Sequence, residues 1–393
     1  MLRHTWAEVH LDNIAHNVRE IRRITDKKAQ VLAVVKAEGY GHGAVQIAKT
    51  ALKNGADRLA VAIMEEGLKL RGAGIKEPIL ILGYTPKSQL KTAIMHNIAL
   101  TVYTLEGAEA VSKAAQEAGI KAKIHIKLDT GMGRLGFLPT EKSISDIMKI
   151  FKLPNIDIEG IFTHFATADS KNKTYTMQQF ERYMWVCSRL EEENIRLPLR
   201  HTANSAAIID LPETHLDMVR AGLIIYGMYP SDEVEKTKIS LKPAMALKTV
   251  ISHIKELPPG YSVSYGAAFT TTRDTVIATI PIGYADGYSR LLANKGEVLV
   301  RGQRSPLVGR ICMDQCMIDV THVNGVSVGD EVVLFGKQGA DAILADDIAK
   351  ILGTINYEVV CMVGKRVPRI YIKEGKPVEA WFNGIQETII LEE

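Results

Sequence analysis

The chain has 393 residues, 46% hydrophobic and 24% charged, a balance that excludes disordered and collagen-like proteins. Lysine plus arginine exceed aspartate plus glutamate by only 48 − 45 = 3, with the basic residues scattered, so no nucleic-acid footprint or membrane-binding polybasic stretch is expected. At about 150 residues per domain the length implies two or three domains, each able to bury a core without disulfides or metals.

The opening MLRHTWAEVHLDNIAHN has no apolar run of the signal-peptide kind. No stretch approaches about 18 consecutive apolar residues, so no membrane span is expected. The cysteines, Cys187, Cys312, Cys316 and Cys361, are too sparse for a disulfide framework and suit a reducing compartment. The protein reads as cytoplasmic.

In chain order, an opening helix is predicted with Asp12 as its N-cap and Leu11, Ile14, Val18 and Ile21 on one face. Eight β-branched or apolar runs follow: Val31–Val35, Arg58–Ala62, Ile79–Leu82, Leu100–Tyr103, Lys123–Leu128, Ile158–His164, Leu199–Ala203 and Asp217–Arg220. Helical stretches such as Leu105–Ala118, Glu141–Phe151 and Met177–Glu193 separate them. Eight strands alternating with helices in this length predict a (β/α)8 TIM-type barrel over residues 1–236. After the polar stretch Ser231–Lys236 the texture changes to short strands: Leu247–Ile254, Thr275–Ile280, Glu297–Val300, Met317–Val320, Glu331–Phe335 and Arg369–Ile372. Only Ala342–Leu352 reads as helix there, so residues 237–393 are expected to form a mainly β domain.

Barrels of this kind place chemistry at the C-terminal ends of their strands. The first predicted strand runs directly into Lys36, where desolvation would favour the neutral amine that attacks an aldehyde. On position alone, a snorkelling lysine is the commoner outcome. The fifth strand ends in Lys127-Leu128-Asp129-Thr130-Gly131-Met132-Gly133-Arg134, the sixth in His164, and the eighth in Arg220. Ser205 and Gly222 fall in the loops after strands seven and eight, where barrels commonly bind phosphate on free N–H groups. An amine, a phosphate cradle and an imidazole on consecutive strand ends together suggest pyridoxal phosphate.

The stretches AVVKAEGYGHGA, KLDTGMGRLG, HFATAD, VRAGLIIYG, VSYGA, IPIGYADGYSR, GRICMDQCMIDV and TINYEV resemble the alanine racemase family in order and spacing over essentially the whole chain. The resemblance implies an N-terminal barrel carrying pyridoxal 5'-phosphate, a C-terminal β domain, a homodimer with active sites completed by the partner subunit, and interconversion of L- and D-alanine, with D-alanine supplied for peptidoglycan. It implies that Lys36 holds the cofactor and serves one substrate face while Tyr265 is the base on the other. It further implies that Arg134 and Met313 bind substrate and that Tyr40, His164, Ser205, Arg220, Gly222, Leu223 and Tyr357 contact the cofactor. Asp314 accompanies Met313, and Tyr284, Arg290, Arg310 and Asp169 resemble an access corridor. Lys127 matches a lysine often carbamylated in the family; ordinary pairing with Asp129 is the alternative. Tyr265, an ordinary phenol with a pKa near ~10, needs a neighbouring cation to act as a base, and Arg134 is the candidate.

One departure is local: the chain reads Ala37-Glu38-Gly39 where the family has asparagine and then alanine, which puts the packing beneath the cofactor in question. A metal at Cys312 and Cys316 is not expected, because C-x-x-x-C without nearby histidines is weak for zinc. A racemase of another small amino acid such as serine, a pyridoxal phosphate decarboxylase of the same fold, and a non-catalytic pyridoxal phosphate carrier are the competing readings. An acidic partner for the pyridine nitrogen would mark the decarboxylase, and the carrier would have no use for Tyr265.

Overall fold

The computed structural model describes residues 3–382 and 385–387. The chain divides into two compact units. The barrel unit comprises Asn13–Gly39 and Gly43–Lys242; the β unit comprises the chain up to Asp12, Tyr40–His42, and the chain from Pro243 onward.

After a first strand, β1 (Thr5–His10), the barrel strands are β2 (Gln30–Val34), β3 (Arg58–Val61), β4 (Ile79–Ile81), β5 (Ile98–Val102), β6 (Ala122–Lys127), β7 (Ile156–Phe162), β8 (Arg200–His201) and β9 (Met218–Ala221). They lie parallel in the order β8-β7-β6-β5-β4-β3-β2-β9. The ring closes where the Asp217 amide donates to Arg200 O and the Arg220 amide to Ala203 O, each at 3.0 Å. Strands covered on both faces need continuous apolar runs. Val31–Val34, Leu59–Val61 and Ile79–Ile81 accordingly have every residue buried. Eight strands with intervening helices are the expected barrel.

Local chemistry fixes where the outer helices begin and end. Thr104 accepts the Gly107 amide at 3.0 Å to cap Leu105–Ala118, and Gly119 ends that helix at φ 70°, a conformation that costs glycine least. Thr140 caps Glu141–Phe151 and Asn204 caps Ser205–Asp210 in the same way. The opening helix, Leu11–Ile24, buries Ile14, Asn17, Val18 and Ile21. Asp12 sits inside its first turn rather than at the cap, and its carboxylate accepts the Glu374 amide at 2.5 Å.

The β unit is built on a twelve-stranded sheet in which β1 lies near the middle, antiparallel to Met245–Val250 and parallel to Arg369–Lys373. The sequence reading counted this first segment with the barrel. Its alternation is short and runs into a helix without a turn, yet Trp6, Ala7 and Val9 are buried and Glu8 meets Lys248 at 3.0 Å. The predicted strand Leu247–Ile254 is two strands, Met245–Val250 and His253–Leu257, and Gln303–Val308 and Lys376–Phe382 are additions to the reading. A second helix, Asn356–Met362, follows the predicted one, which spans Ala345–Leu352.

Replacing Thr104 with alanine removes the partner of one orphan helix amide. Urea unfolding should show a loss of about 1 kcal/mol; an unchanged midpoint would show that the cap contributes nothing.

Candidate active site

Lys36 follows β2 and is half-buried. The chain then coils left-handed, with φ of 52° at Ala37, 56° at Glu38, 61° at Gly39 and 51° at Tyr40. Each non-glycine residue in that conformation costs roughly 1–2 kcal/mol, so the turn needs external support. Glu66 supplies some: one carboxylate oxygen accepts the Ala37 amide (2.6 Å) and the other the Ala62 amide (2.7 Å). The departure from the family pattern supplies the rest. Glu38 accepts the Ala44 amide (3.2 Å) and Lys69 Nζ (2.6 Å) on one oxygen, tying the turn to the start of one helix and the last turn of another. At Gly39 a β-carbon would stand 3.3 Å from Ala44 and from Ile47, so glycine relieves crowding as well as strain.

After β6, Asp129 folds the glycine-rich loop onto itself. One oxygen accepts the amides of Gly131, Met132 and Gly133 at 2.9–3.0 Å and the other takes that of Arg134 at 2.9 Å. Burial raises the Asp129 pKa, but these four donors outweigh it and hold the carboxylate below its ordinary range. The loop therefore fixes the Arg134 backbone while its side chain is exposed.

Lys127 makes no ion pair with Asp129 among the described residues. Its Nζ donates to Leu128 O at 2.7 Å and lies 5.2 Å from the centre of the Phe162 ring. Burial, with Arg220 adding repulsion, pushes its pKa down to about 7.

Arg220 is 4% exposed. Nη1 donates to His201 O (2.8 Å) and His201 Nδ1 (3.2 Å), and Nη2 to Thr163 O (2.7 Å), Thr202 O (2.9 Å) and His164 Nδ1 (3.4 Å). No carboxylate pairs with it among the described residues. Burial lowers its pKa to about 10, which leaves it protonated at neutral pH. His164 is driven well below its ordinary value by burial and then by Arg220, Lys127, Arg134 and Lys36, so it is a neutral acceptor. Ser205, buried at the start of its helix, receives the Gly222 amide on Oγ at 3.0 Å, and Leu223 opens the single turn Leu223–Tyr226. The barrel unit thus brings together Lys36, Lys127, His164 and Arg220, and Gly222 with Ser205. Asp169, half-buried, accepts the Ser231 hydroxyl on its carbonyl at 2.6 Å.

The β unit gathers the remaining predicted residues in two groups. Tyr40 is buried, its ring centre 6.2 Å from that of Tyr357, and burial with Tyr357 nearby raises its pKa. Arg369 donates to Gly41 O at 3.0 Å and anchors this segment. Around Tyr265 the backbone has positive φ at Ser264, Gly266 and Ala267, and Ser264 Oγ donates to Arg310 O at 2.6 Å. The Arg310 guanidinium lies 3.4 Å from where a Gly266 β-carbon would stand, so within this unit a cation borders the tyrosine's own turn. Tyr265 and Met313 are 69% and 52% exposed, so each presents its side chain outward. The amides of Tyr284 and Ala285 donate to the carbonyls of Cys312 and Met313 at 3.1 and 3.0 Å. Arg290 lies over the Tyr284 ring at 5.9 Å, and Asp314 is held by Arg366 at 2.5 Å, which also meets the fully buried Asp286. Cys316 is buried, with its thiol pKa pushed up by burial; Cys312 is half-buried beside Arg310 O.

The sequence reading missed His201, the imidazole against Arg220, and also Arg366 and Asp286. A histidine inside the predicted strand Leu199–Ala203 was the available signal for the first.

Residues 9–230 match the family described as alanine racemase, N-terminal domain, and residues 244–371 match alanine racemase, C-terminal domain. The chain belongs to the alanine racemase family. This pyridoxal phosphate-dependent family includes the alanine racemase of Clostridium tetani, 54% identical over 96% of this chain and 97% of that protein. Among solved structures, the alanine racemase of Bacillus anthracis with bound L-Ala-P is 40% identical, with a TM-score of 0.92 over 97% of this chain and 98% of that one. A histidine racemase from Leuconostoc mesenteroides is also similar, 30% identical with a TM-score of 0.87 over 94% of this chain and 98% of its own. The donors of the barrel unit fit the cofactor: a strand-end amine for an aldehyde, a serine with an adjoining buried backbone turn for a phosphate, and a permanent cation for a ring nitrogen.

The low pKa of Lys127 has a signed consequence for stability. Between about 7 and its ordinary value of 10.5 the unfolded chain holds this proton and the folded chain does not, so its burial penalty is full below pH 7 and fades as pH rises to 10.5. Lys127→Met removes the penalty. Its stability relative to the parent should be highest at pH 7 and below and should decline on going to pH 10; a difference independent of pH would refute the shift.

Proposed function

We propose that the protein interconverts L- and D-alanine, with Lys36 and Tyr265 as acid–base groups on opposite faces of the substrate. When bound, pyridoxal phosphate supplies an electron sink that acidifies the α-hydrogen. Lys36 holds the aldehyde end through its amine and moves a proton at Cα on one face. Tyr265 moves the proton on the other, as a racemase requires two proton-transfer groups. Arg134 binds the substrate carboxylate, with Met313 beside it, and a fork of N–H donors suits that anion. Ser205, Gly222, Leu223, Tyr40 and Tyr357 take the phosphate, while Tyr284, Arg290, Arg310, Asp169 and Asp314 border the access path.

Arg220 carries the reading. It would donate to the ring nitrogen, and because a guanidinium keeps its own proton it would leave that nitrogen unprotonated and a weaker electron sink. Quick return of the proton to Cα is favoured over transamination or loss of CO2. A fold-related decarboxylase calls for a carboxylate at that point, and none pairs with Arg220 among the described residues. His164 steadies Arg220 as a neutral acceptor. Lys127, which makes no ion pair among the described residues and has a pKa near 7, has a substantial share of the neutral amine that carbamylation by CO2 requires.

A homodimer completed by the partner subunit is supported by the outward exposure of Tyr265, Met313 and Tyr284 on the β unit. The barrel unit, Asn13–Gly39 with Gly43–Lys242, acts as the cofactor-binding domain, and the β unit supplies the second base. The free cysteines suit a reducing cytoplasm, where the product D-alanine serves peptidoglycan synthesis. No helix among the described residues is long and apolar enough to cross a membrane.

In heavy water the enzyme should exchange the α-hydrogen of either alanine enantiomer faster than that of serine or histidine; exchange of those two but not of alanine would sink the assignment. Lys36→Ala should lose the bound cofactor's colour. Tyr265→Phe should keep it and lose about 10²–10⁴-fold in racemisation, and a fully active variant would refute the two-base reading. Mixing the two inactive variants should restore part of the activity if sites are completed between subunits; confirmed heterodimers without recovery would refute it.

A further inference from the structure

A line of buried polar groups runs through the barrel core from Arg220 to residues that take no part in the reaction above. His201 Nδ1 is 3.2 Å from Arg220 Nη1, and His201 Nε2 is 2.9 Å from His125 Nδ1. His125 Nε2 faces Glu159 Oε2 at 3.5 Å, and Glu159 is held in turn by Arg58 at 2.9 Å and Lys123 at 3.4 Å. Both imidazoles are essentially inaccessible to solvent, and the Phe162 ring stacks on His201 with centres 4.8 Å apart and planes 7° apart.

The backbone is shaped to make this line. Strands β6 and β7 pair Ile124 with Ile158 and then His125 with Gly160, so Glu159 is an extra residue bulged out of register. Bulges re-aim side chains and are rare between parallel strands. At Gly160 a β-carbon would stand 2.7 Å from His125 Nδ1, so only glycine leaves room for the ring.

Donor chemistry orients the chain. A guanidinium only donates, so His201 Nδ1 accepts, its Nε2–H donates to His125 Nδ1, and His125 Nε2–H points at the carboxylate. Each ring is a neutral Nε2–H tautomer, and every hydrogen bond runs from cation to anion. Burial holds both rings below the ordinary imidazole pKa: on His125, which also faces His201, it is aided by Arg58 and Arg220 and outweighs the opposing pull of Glu159, and on His201 it is aided by His125, Arg220, Arg58 and Lys127.

We propose that Glu159 is the remote counter-ion of Arg220, connected to it by His201 and His125 as positioning residues, so that the guanidinium is fixed and compensated from behind while its cofactor side stays free of any carboxylate. This rests on the reading of Arg220 as the partner of the ring nitrogen.

Nitrogen-15 spectra of the histidine-labelled holoenzyme, with the two rings assigned by single replacements, test the orientation. Both rings should be neutral Nε2–H tautomers from about pH 6 to 8; an Nδ1–H form of either overturns the proposal. Glu159→Gln keeps shape and acceptor but removes the charge. The N–H proton resonances of both rings should move upfield, and kcat for alanine should fall about 10-fold or more with KM within about twofold. His201→Asn leaves an oxygen for Arg220 but cannot reach His125. It should match that loss, and combining the two should add nothing; it decides alone if Glu159→Gln does not fold. Unchanged kcat in either variant overturns the proposal and makes the line merely structural. A parent enzyme that exchanges no alanine would overturn the functional reading instead, while the tautomers and their response to Glu159→Gln would still judge the relay.

Discussion

Arg220 donates from both terminal nitrogens to the carbonyls of Thr163, His201 and Thr202, at the place where its own amide closes the barrel onto Ala203. Removing an ion from water costs several kcal/mol even after relaxation. Here the compensation comes from three carbonyl dipoles that the ends of two other strands, β7 and β8, can supply only when the ring is closed and in register. The same residue therefore closes the fold with its backbone and collects that fold's dipoles with its side chain. Its neighbours titrate accordingly: His164 is forced neutral and Lys127 falls to about 7, both through burial first and the adjacent guanidinium second. The barrel mouth has cations and N–H donors in excess, the polarity that a phosphate and an amino-acid carboxylate require.

The loops after β2 and β6 share a second device. Backbone that is neither helix nor strand must find partners for its amides. After β6 a single carboxylate, Asp129, satisfies four of them and sets where Arg134 leaves the loop. After β2 the left-handed turn behind Lys36 is satisfied by Glu66 and Glu38, the latter also engaging Lys69. Asparagine tolerates the left-handed region better than glutamate. The glutamate here offsets that preference with reach, and the glycine that follows removes both strain and crowding. The departure from the family pattern is thus a matched pair, in which Glu38 ties the turn and Gly39 fits it.

Most of the barrel could be read from sequence because doubly covered parallel strands must be continuous apolar runs, and because reactive residues collect where such runs end. Lys36, His164 and Arg220 were singled out that way, and the structure places each at or near a strand end. Readings that depended on partners across the fold failed. Asp129 was a candidate partner for Lys127 by proximity in sequence, but its oxygens are taken by backbone amides. Strand β1 was missed because pairing with residues more than two hundred positions away leaves no local mark. His125, Glu159 and His201 lie on three different strands, and a bulge decides that they meet; no spacing rule exposes a bulge.

Two buried cations near the Phe162 ring show why these positions differ in residue type. The ring centre is 5.2 Å from Lys127 Nζ and 5.4 Å from the Arg220 guanidinium, so both share one low-dielectric environment. Lysine responds by giving up its proton near neutrality, whereas arginine, starting from an intrinsically higher pKa, still holds its own at about 10. Exchanging the two would put a titratable amine where His164, His201 and three strand-end carbonyls now meet a permanent donor. It would also put an inert cation where a neutral nucleophilic amine is chemically useful. Desolvation is common to the pair, so the intrinsic basicity of each side chain is what separates a fixed charge from a switchable one within a single core.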